Sequence, residues 1–153
     1  MEKLSVQINS KEERYKYLDS LDFSKYMNNK YDCVHFLIKY TVDSKEYVEP
    51  VYFWKCDDWY LEYPCTLFNY NMSLEDYINS SYGMDEDFNV NEKPLDSYEK
   101  ELVEYEKQFQ IGDVHYEIEH FQCLPFLPEK IEIIGILTEK ECLEYLINEG
   151  KKK

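Results

Sequence analysis

The chain has 153 residues, enough for one domain whose hydrophobic core needs no disulfide or metal to hold it. Its net charge is −15 and Arg14 is its only arginine, which argues against direct binding to nucleic acid or to an anionic membrane surface, because both need clustered basic side chains. No apolar stretch is long enough for a transmembrane helix and the N-terminus lacks signal-peptide features, so we expect a cytoplasmic protein.

Cysteine usage and codon bias add two expectations about the environment of the chain. The five cysteines are odd in number, scattered and without a CxxC pair, which favours reduced thiols. The sequence has no alanine and is rich in Lys, Asn, Tyr, Ile and Glu. These are residues with AT-rich codons, so we expect an AT-rich genome such as that of a low-GC bacterium or its phage.

The first thirty residues predict a strand and a helix. Apolar and polar residues alternate over residues 4–8, which indicates a short strand. Ser10 and Glu13 have the spacing of a capping box, in which each side chain satisfies a free backbone N–H at the start of a helix. We expect a helix over residues 11–20, with Leu18 on its buried face.

The stretch from Tyr31 to Tyr70 contains both tryptophans and the densest aromatic and β-branched content, which predicts three antiparallel strands. The predicted core face of the first strand is formed by Val34, Phe36, Ile38, Tyr40 and Val42. Turns are expected at Asp43–Ser44–Lys45 and Asp57–Asp58. Pro50 cannot donate to a strand ladder and predicts an edge or a bulge in the second strand.

The second half of the chain predicts three further helices and two further strands. Ser73 caps a helix over residues 74–81, and an acidic loop follows at 84–96. A helix near 98–110 is expected to end at a left-handed Gly112. Alternation predicts strands over 114–121 and 130–137, and a capping box at Thr138 predicts a helix over 139–149. The sequence therefore predicts a single α+β domain spanning residues 1–153, with an antiparallel sheet of five or six strands and four helices.

Motifs for nucleotide and acyl chemistry are absent from the sequence. The four glycines lie far apart and exclude a GxGxxG motif, a P-loop and a GxSxG elbow. Cys33 with His35, and His120 with Cys123, form two irregular pairs that invite a zinc hypothesis. Structural zinc sites usually have regularly spaced ligand pairs, so core or surface positions are the simpler interpretation, and we expect no cofactor.

One histidine occurs beside two carboxylates along a predicted strand. His115, Glu117 and Glu119 share the strand face opposite Val114, Tyr116 and Ile118. This pattern suits acid–base chemistry or a divalent metal ion. A solvated strand face gives the same pattern, and no nucleophile or glycine-rich pocket stands nearby in the sequence.

The negative charge is concentrated between residues 83 and 106. This segment holds nine acidic and two basic side chains, which account for seven of the fifteen net negative charges. Such a run is usually a solubilising surface, but it can also imitate nucleic-acid phosphates and enter a basic groove, with tyrosines as anchors. The candidate partner-binding residues are Asp85, Glu86, Asp87, Glu99, Glu101, Glu104 and Glu106, together with Tyr98 and Tyr105.

These observations favour a small, non-enzymatic acidic protein that binds and inhibits a basic, nucleic-acid-binding protein complex. Size, acidity and AT-rich composition are typical of phage-encoded inhibitors of host defence, anti-CRISPR proteins among them. One alternative is an immunity or antitoxin protein that blocks a toxin active site, and another is a metal-dependent enzyme using the His/Glu strand face. A homodimer joined through the aromatic sheet stays open, with Tyr52, Trp54, Tyr60 and Tyr63 as the candidate surface.

Overall fold

The structure of the protein, a computed structural model, describes residues 1–22, 33–83, 94–121 and 127–151. The strands are β1 (Glu2–Ile8), β2 (Cys33–Val42), β3 (Lys45–Lys55), β4 (Trp59–Tyr70), β5 (Gln110–Ile111), β6 (Val114–Phe121) and β7 (Ile131–Leu137). The α-helices in these ranges are α1 (Lys11–Asp19), α2 (Leu74–Ser81), α3 (Ser97–Glu106) and α4 (Glu139–Lys151), and a 3-10 turn (Lys107–Phe109) follows α3.

The strands form one antiparallel sheet in the order β1-β7-β2-β3-β4-β6-β5. The predicted α+β class is confirmed, although the sheet has seven strands because the two-residue β5, too short to show an alternating pattern, pairs with the start of β6. The contacts divide the chain into two compact units. The first comprises Met1–Cys65 and Glu119–Lys153, and the second comprises Thr66–Ile118.

Local signals placed the helix starts correctly. The Glu13 backbone N–H donates to the Ser10 hydroxyl at 3.1 Å, and the Asp76 N–H donates to Ser73 at 3.2 Å. At the start of α4, Thr138 and Glu141 exchange both bonds of the capping box. Each bond satisfies an N–H group that the first turn of a helix leaves without an intrahelical acceptor.

The core of the first unit lies on the face of β2 that the alternation predicted. Val34, Phe36 and Ile38 are fully buried, and Leu18 of α1 packs into the same cluster. Toward the end of the strand the prediction fails, because Tyr40 is only half-buried and Val42 is 39% exposed. The opposite face of β2 is also covered, since Cys33, His35 and Leu37 are buried as well. This second face adjoins α4, which packs on β7, the strand paired with β2.

Three predicted backbone features differ in detail from the structure. Asp43 and Ser44 form a two-residue turn, and both have positive φ, 50° and 65°. Gly112 is left-handed at φ 62°, but it lies in the turn between β5 and β6 rather than at a helix end, because α3 stops at Glu106. Pro50 pairs with Leu37 inside the sheet, and the β3–β4 ladder, which covers Tyr52 to Lys55, leaves it out.

A search of the described ranges for a helix with the length and hydropathy needed to cross a membrane finds none.

Candidate functional site

Helix α3 carries six of the nine predicted partner-binding residues and has no fully buried residue. Its outer face contains Glu101 and Glu104, with Tyr98 beside them at 56% exposure. Glu104 also forms a surface ion pair with Lys107, 2.5 Å between Oε1 and Nζ. This face is therefore acidic and tyrosine-bearing, although Lys107 offsets part of its charge.

The other three α3 candidates turn away from solvent. Glu99 is half-buried near the helix start, where its backbone N–H donates to the Asp96 cap at 2.8 Å. Tyr105 is half-buried and packs edge-on against Phe109, 5.3 Å between ring centroids. Glu106 is half-buried at the end of the helix and contacts a buried histidine. The α3 candidates thus divide into an exposed group and a half-buried group, and the exposed group offers the larger surface to a partner.

The contact at the end of α3 joins a carboxyl group to an imidazole. Glu106 Oε2 lies 3.3 Å from His115 Nε2, and His115 is 1% exposed. Tyr77 of α2 stacks on the His115 ring at 4.2 Å with an interplanar angle of 26°. The backbone N–H of His115 donates to the carbonyl of Met72 at 3.2 Å. These contacts fix β6 against both α2 and α3 within the second unit.

Burial moves the two partners toward their neutral forms. It raises the pKa of Glu106 to about 7, and the nearby negative charge of Glu117 adds to the shift. Burial also lowers the pKa of His115, against the smaller opposing effect of Glu117. A charged pair would show the opposite directions, because each charge would stabilise the other. The contact is therefore the 3.3 Å approach of a carboxyl group with a pKa near 7 to a neutral imidazole, rather than a charged ion pair.

This geometry favours a structural role for His115 over catalysis. A carboxyl–imidazole pair titrating near neutrality is suited to proton transfer, but a substrate atom must come within hydrogen-bond distance of it. Tyr77 covers one face of the ring and the residue is almost fully buried, so the imidazole is closed to substrate unless Tyr77 moves. The pair instead anchors the end of α3 to β6.

The proposed metal set His115, Glu117 and Glu119 is not assembled in the structure. His115 is buried against Glu106, Glu117 is exposed, and Glu119 is half-buried. Across the described ranges, no group of three or more His, Cys, Asp or Glu side chains is arranged to hold a metal ion. The sequence pattern did not reveal that a carboxyl group from α3, that of Glu106, contacts His115 Nε2.

Two other histidines, which the sequence analysis placed in separate pairs, lie together in the first unit. His35 of β2 and His120 of β6 approach with their Nε2 atoms 3.0 Å apart. Tyr52 of β3 contacts both rings, at 4.8 Å and 4.0 Å between centroids. The only sequence signal was that Cys33 and His35 share a strand face; Cys123 lies outside the described residues.

The remaining candidates are located as follows. Asp85, Glu86 and Asp87 lie outside the described residues. Of the aromatic surface considered for a homodimer, Tyr52, Trp54 and Tyr63 are half-buried, and Tyr60 is 36% exposed and stacked on Trp54 at 4.7 Å. These four aromatic side chains are thus mostly covered within the chain, and Tyr63 packs against the core cluster.

Comparison of the chain with protein-family models, with curated proteins and with solved structures finds no match. The functional interpretation therefore depends on the residues and contacts described above.

Proposed function

We propose that the protein is a non-enzymatic binding protein of the cytoplasm, which contacts a basic, nucleic-acid-binding partner through the exposed face of α3 and inhibits it. The observation that carries the proposal is the position of Tyr98. It is the most exposed large apolar side chain among the described residues, and it lies on α3, where four of the ten residues are glutamates. Exposed tyrosines are frequent anchors of protein interfaces.

The charge around Tyr98 gives the expected partner its chemistry. Residues 83–106 hold seven of the fifteen net negative charges, so a basic surface is attracted to this segment over several ångströms of solvent. Glu101 and Glu104 project from the exposed face beside Tyr98. In such interfaces the carboxylates mainly raise the association rate and set orientation, while the aromatic side chain supplies the buried contact.

The proposal is tested by recovering partners of the tagged protein from the lysate of a low-GC bacterial host, with and without nuclease, at low and moderate salt. The expected result is stoichiometric recovery of a basic protein or nucleoprotein complex, at a yield that falls as salt rises. A host-defence nuclease complex among the partners would support the anti-CRISPR interpretation, and a single basic toxin would support the immunity-protein alternative. Recovery of no salt-sensitive partner would leave the acidic face as a solubilising surface.

Variants then locate the interface. Glu101→Lys with Glu104→Lys, and separately Tyr98→Ala, are each expected to weaken binding about tenfold or more. The matched control is Glu46→Lys with Glu144→Lys, which changes the net charge by the same amount but places the change on the first unit. Glu144, like Glu104, forms a surface ion pair, so both double variants break one such pair. Equal losses in the control would mean that only net charge matters, and would contradict an interface on α3.

A further inference from the structure

His35 and His120 bring two imidazole nitrogens together inside the first unit. The two residues are 85 positions apart in the chain, yet their Nε2 atoms face each other at 3.0 Å. His35 is 2% exposed and His120 is half-buried. Tyr52 is directly opposite His35 in the β2–β3 register, and its ring contacts both imidazoles, which restricts the orientation of each ring.

Both rings are neutral near pH 7, which is the charge state a metal ligand needs, although the hydrogen-bonded pair keeps one proton on an Nε2 atom. Burial lowers the pKa of His35 to about 3, with a further contribution from His120, and burial lowers the pKa of His120 to about 4. Each imidazole is therefore neutral at pH 7 and carries one N–H and one lone pair. With no metal, one Nε2 donates to the other. When both rings carry their proton on Nδ1, both Nε2 lone pairs are available to a cation and neither ring loses a proton.

We propose that His35 and His120 are two ligands of a Zn²⁺ site. Two imidazole nitrogens bound to a tetrahedral zinc ion, each at about 2.05 Å, lie about 3.3 Å apart. The observed 3.0 Å therefore needs to widen by only a few tenths of an ångström. A linear two-coordinate ion would need the nitrogens about 4 Å apart, so a tetrahedral ion requires the smaller movement of the two rings.

A third donor of the type that zinc prefers lies on the same strand face as His35. Cys33 is two residues before His35 on the same face of β2 and is buried. Its thiol is hydrogen-bonded to the hydroxyl of Tyr52, the residue that contacts both rings. No set of three ligands is preassembled among the described residues, so Cys33 must exchange this hydrogen bond for the metal. Binding then releases the thiol proton, because the thiolate is the ligand form, and the fourth position is filled by water.

The test is a Zn²⁺ titration of metal-free, full-length protein by calorimetry, with the side-chain ¹⁵N signals of the histidines recorded in parallel. The expected result is binding of one ion per chain, with large shifts of the Nε2 signals of His35 and His120 and a small shift for His115. His120→Gln and His35→Gln are each expected to weaken binding at least about tenfold. Cys33→Ser is expected to weaken it and to abolish the proton release.

The controls separate the site from nonspecific binding to an acidic protein. His115→Gln removes the third histidine, which lies in the other unit, and should leave the Zn²⁺ affinity unchanged. Cys56→Ser is the control for Cys33, because Cys56 is an exposed thiol. His35 is buried, so His35→Gln can fail to fold. In that case the Zn²⁺ affinity of His120→Gln and the ¹⁵N signals of the wild-type protein still test whether the two histidines bind the ion. Absence of saturable binding, or binding with unshifted His35 and His120 signals, would overturn the proposal.

Discussion

Replacing Glu106 by glutamine is expected to remove a pH dependence of stability that the wild-type protein carries. Glutamine keeps the size of the side chain and can donate to or accept from His115 Nε2, but it cannot ionise. In the folded protein burial raises the pKa of Glu106 to about 7, whereas the ordinary value is 4.5. Between these two pH values the folded state binds more protons than the unfolded state, so the free energy of unfolding falls as pH rises.

The size of the effect follows from the shift and from the remaining exposure. A displacement from 4.5 to about 7 corresponds to about 3 kcal/mol, at about 1.4 kcal/mol per pKa unit. The side chain keeps 20% of its exposure, so solvent screens part of the interaction and we expect about half of this, about 1.5 kcal/mol. This contribution is complete below the unfolded pKa of 4.5 and is lost as the pH rises through about 7.

The assay is urea denaturation of both proteins across this pH range. Glu106→Gln should match the wild type near pH 4 and exceed it by about 1.5 kcal/mol near pH 8, and taking the difference cancels the titration of groups common to both proteins. Glu101→Gln is the matched control, since it makes the same change on the exposed face of the same helix and should show no such pH dependence. A difference between wild type and Glu106→Gln that is constant from pH 5 to 8 would refute a neutral carboxyl–imidazole contact.

Three further predictions concern the first unit. Phe36 is fully buried against Phe53, and Phe36→Ala should cost about 4 kcal/mol in urea unfolding; a loss under about 1 kcal/mol would contradict its place in the core. Asp43→Asn with Ser44→Gly should stabilise the hairpin by about 0.5–1 kcal/mol, because Asn-Gly tolerates positive φ at both turn positions; an unchanged thermal midpoint would count against this turn geometry. Cys56 is exposed and should react rapidly with iodoacetamide. Burial raises the pKa of the Cys142 thiol to about 12, so peptide mapping of the folded protein should find Cys142 unmodified.

Features that depend on residues within about four positions of one another were predictable from the sequence. Ser10 with Glu13, and Thr138 with Glu141, form capping hydrogen bonds whose partners are fixed by the helix itself. The alternation along β2 identified Val34, Phe36 and Ile38 as core, because a strand sends alternate side chains to opposite faces. At Gly112 the residue type correctly predicted a left-handed backbone, but the sequence placed it at a helix end whereas it lies in the turn between β5 and β6.

The candidate sites depended on contacts between distant parts of the chain. Along β6 the alternation placed His115 on the polar face with Glu117, yet Tyr77 and Glu106 cover it, and it is one of the most buried of the described residues. Composition revealed how much acidic charge α3 carries. Only packing determined that Glu101 and Glu104 face solvent, whereas Glu106 is half-buried and has its pKa raised to about 7.

The sequence by itself thus determined the fold class, the helix starts, the core face of β2 and the location of the negative charge, since each follows from local hydrogen bonding, side-chain periodicity or composition. The tertiary structure alone decided that His35 meets His120 and that Glu106 meets His115. Strand register and helix packing bring these side chains together, and burial then sets their pKa values, because removal from water penalises the charged form of each group.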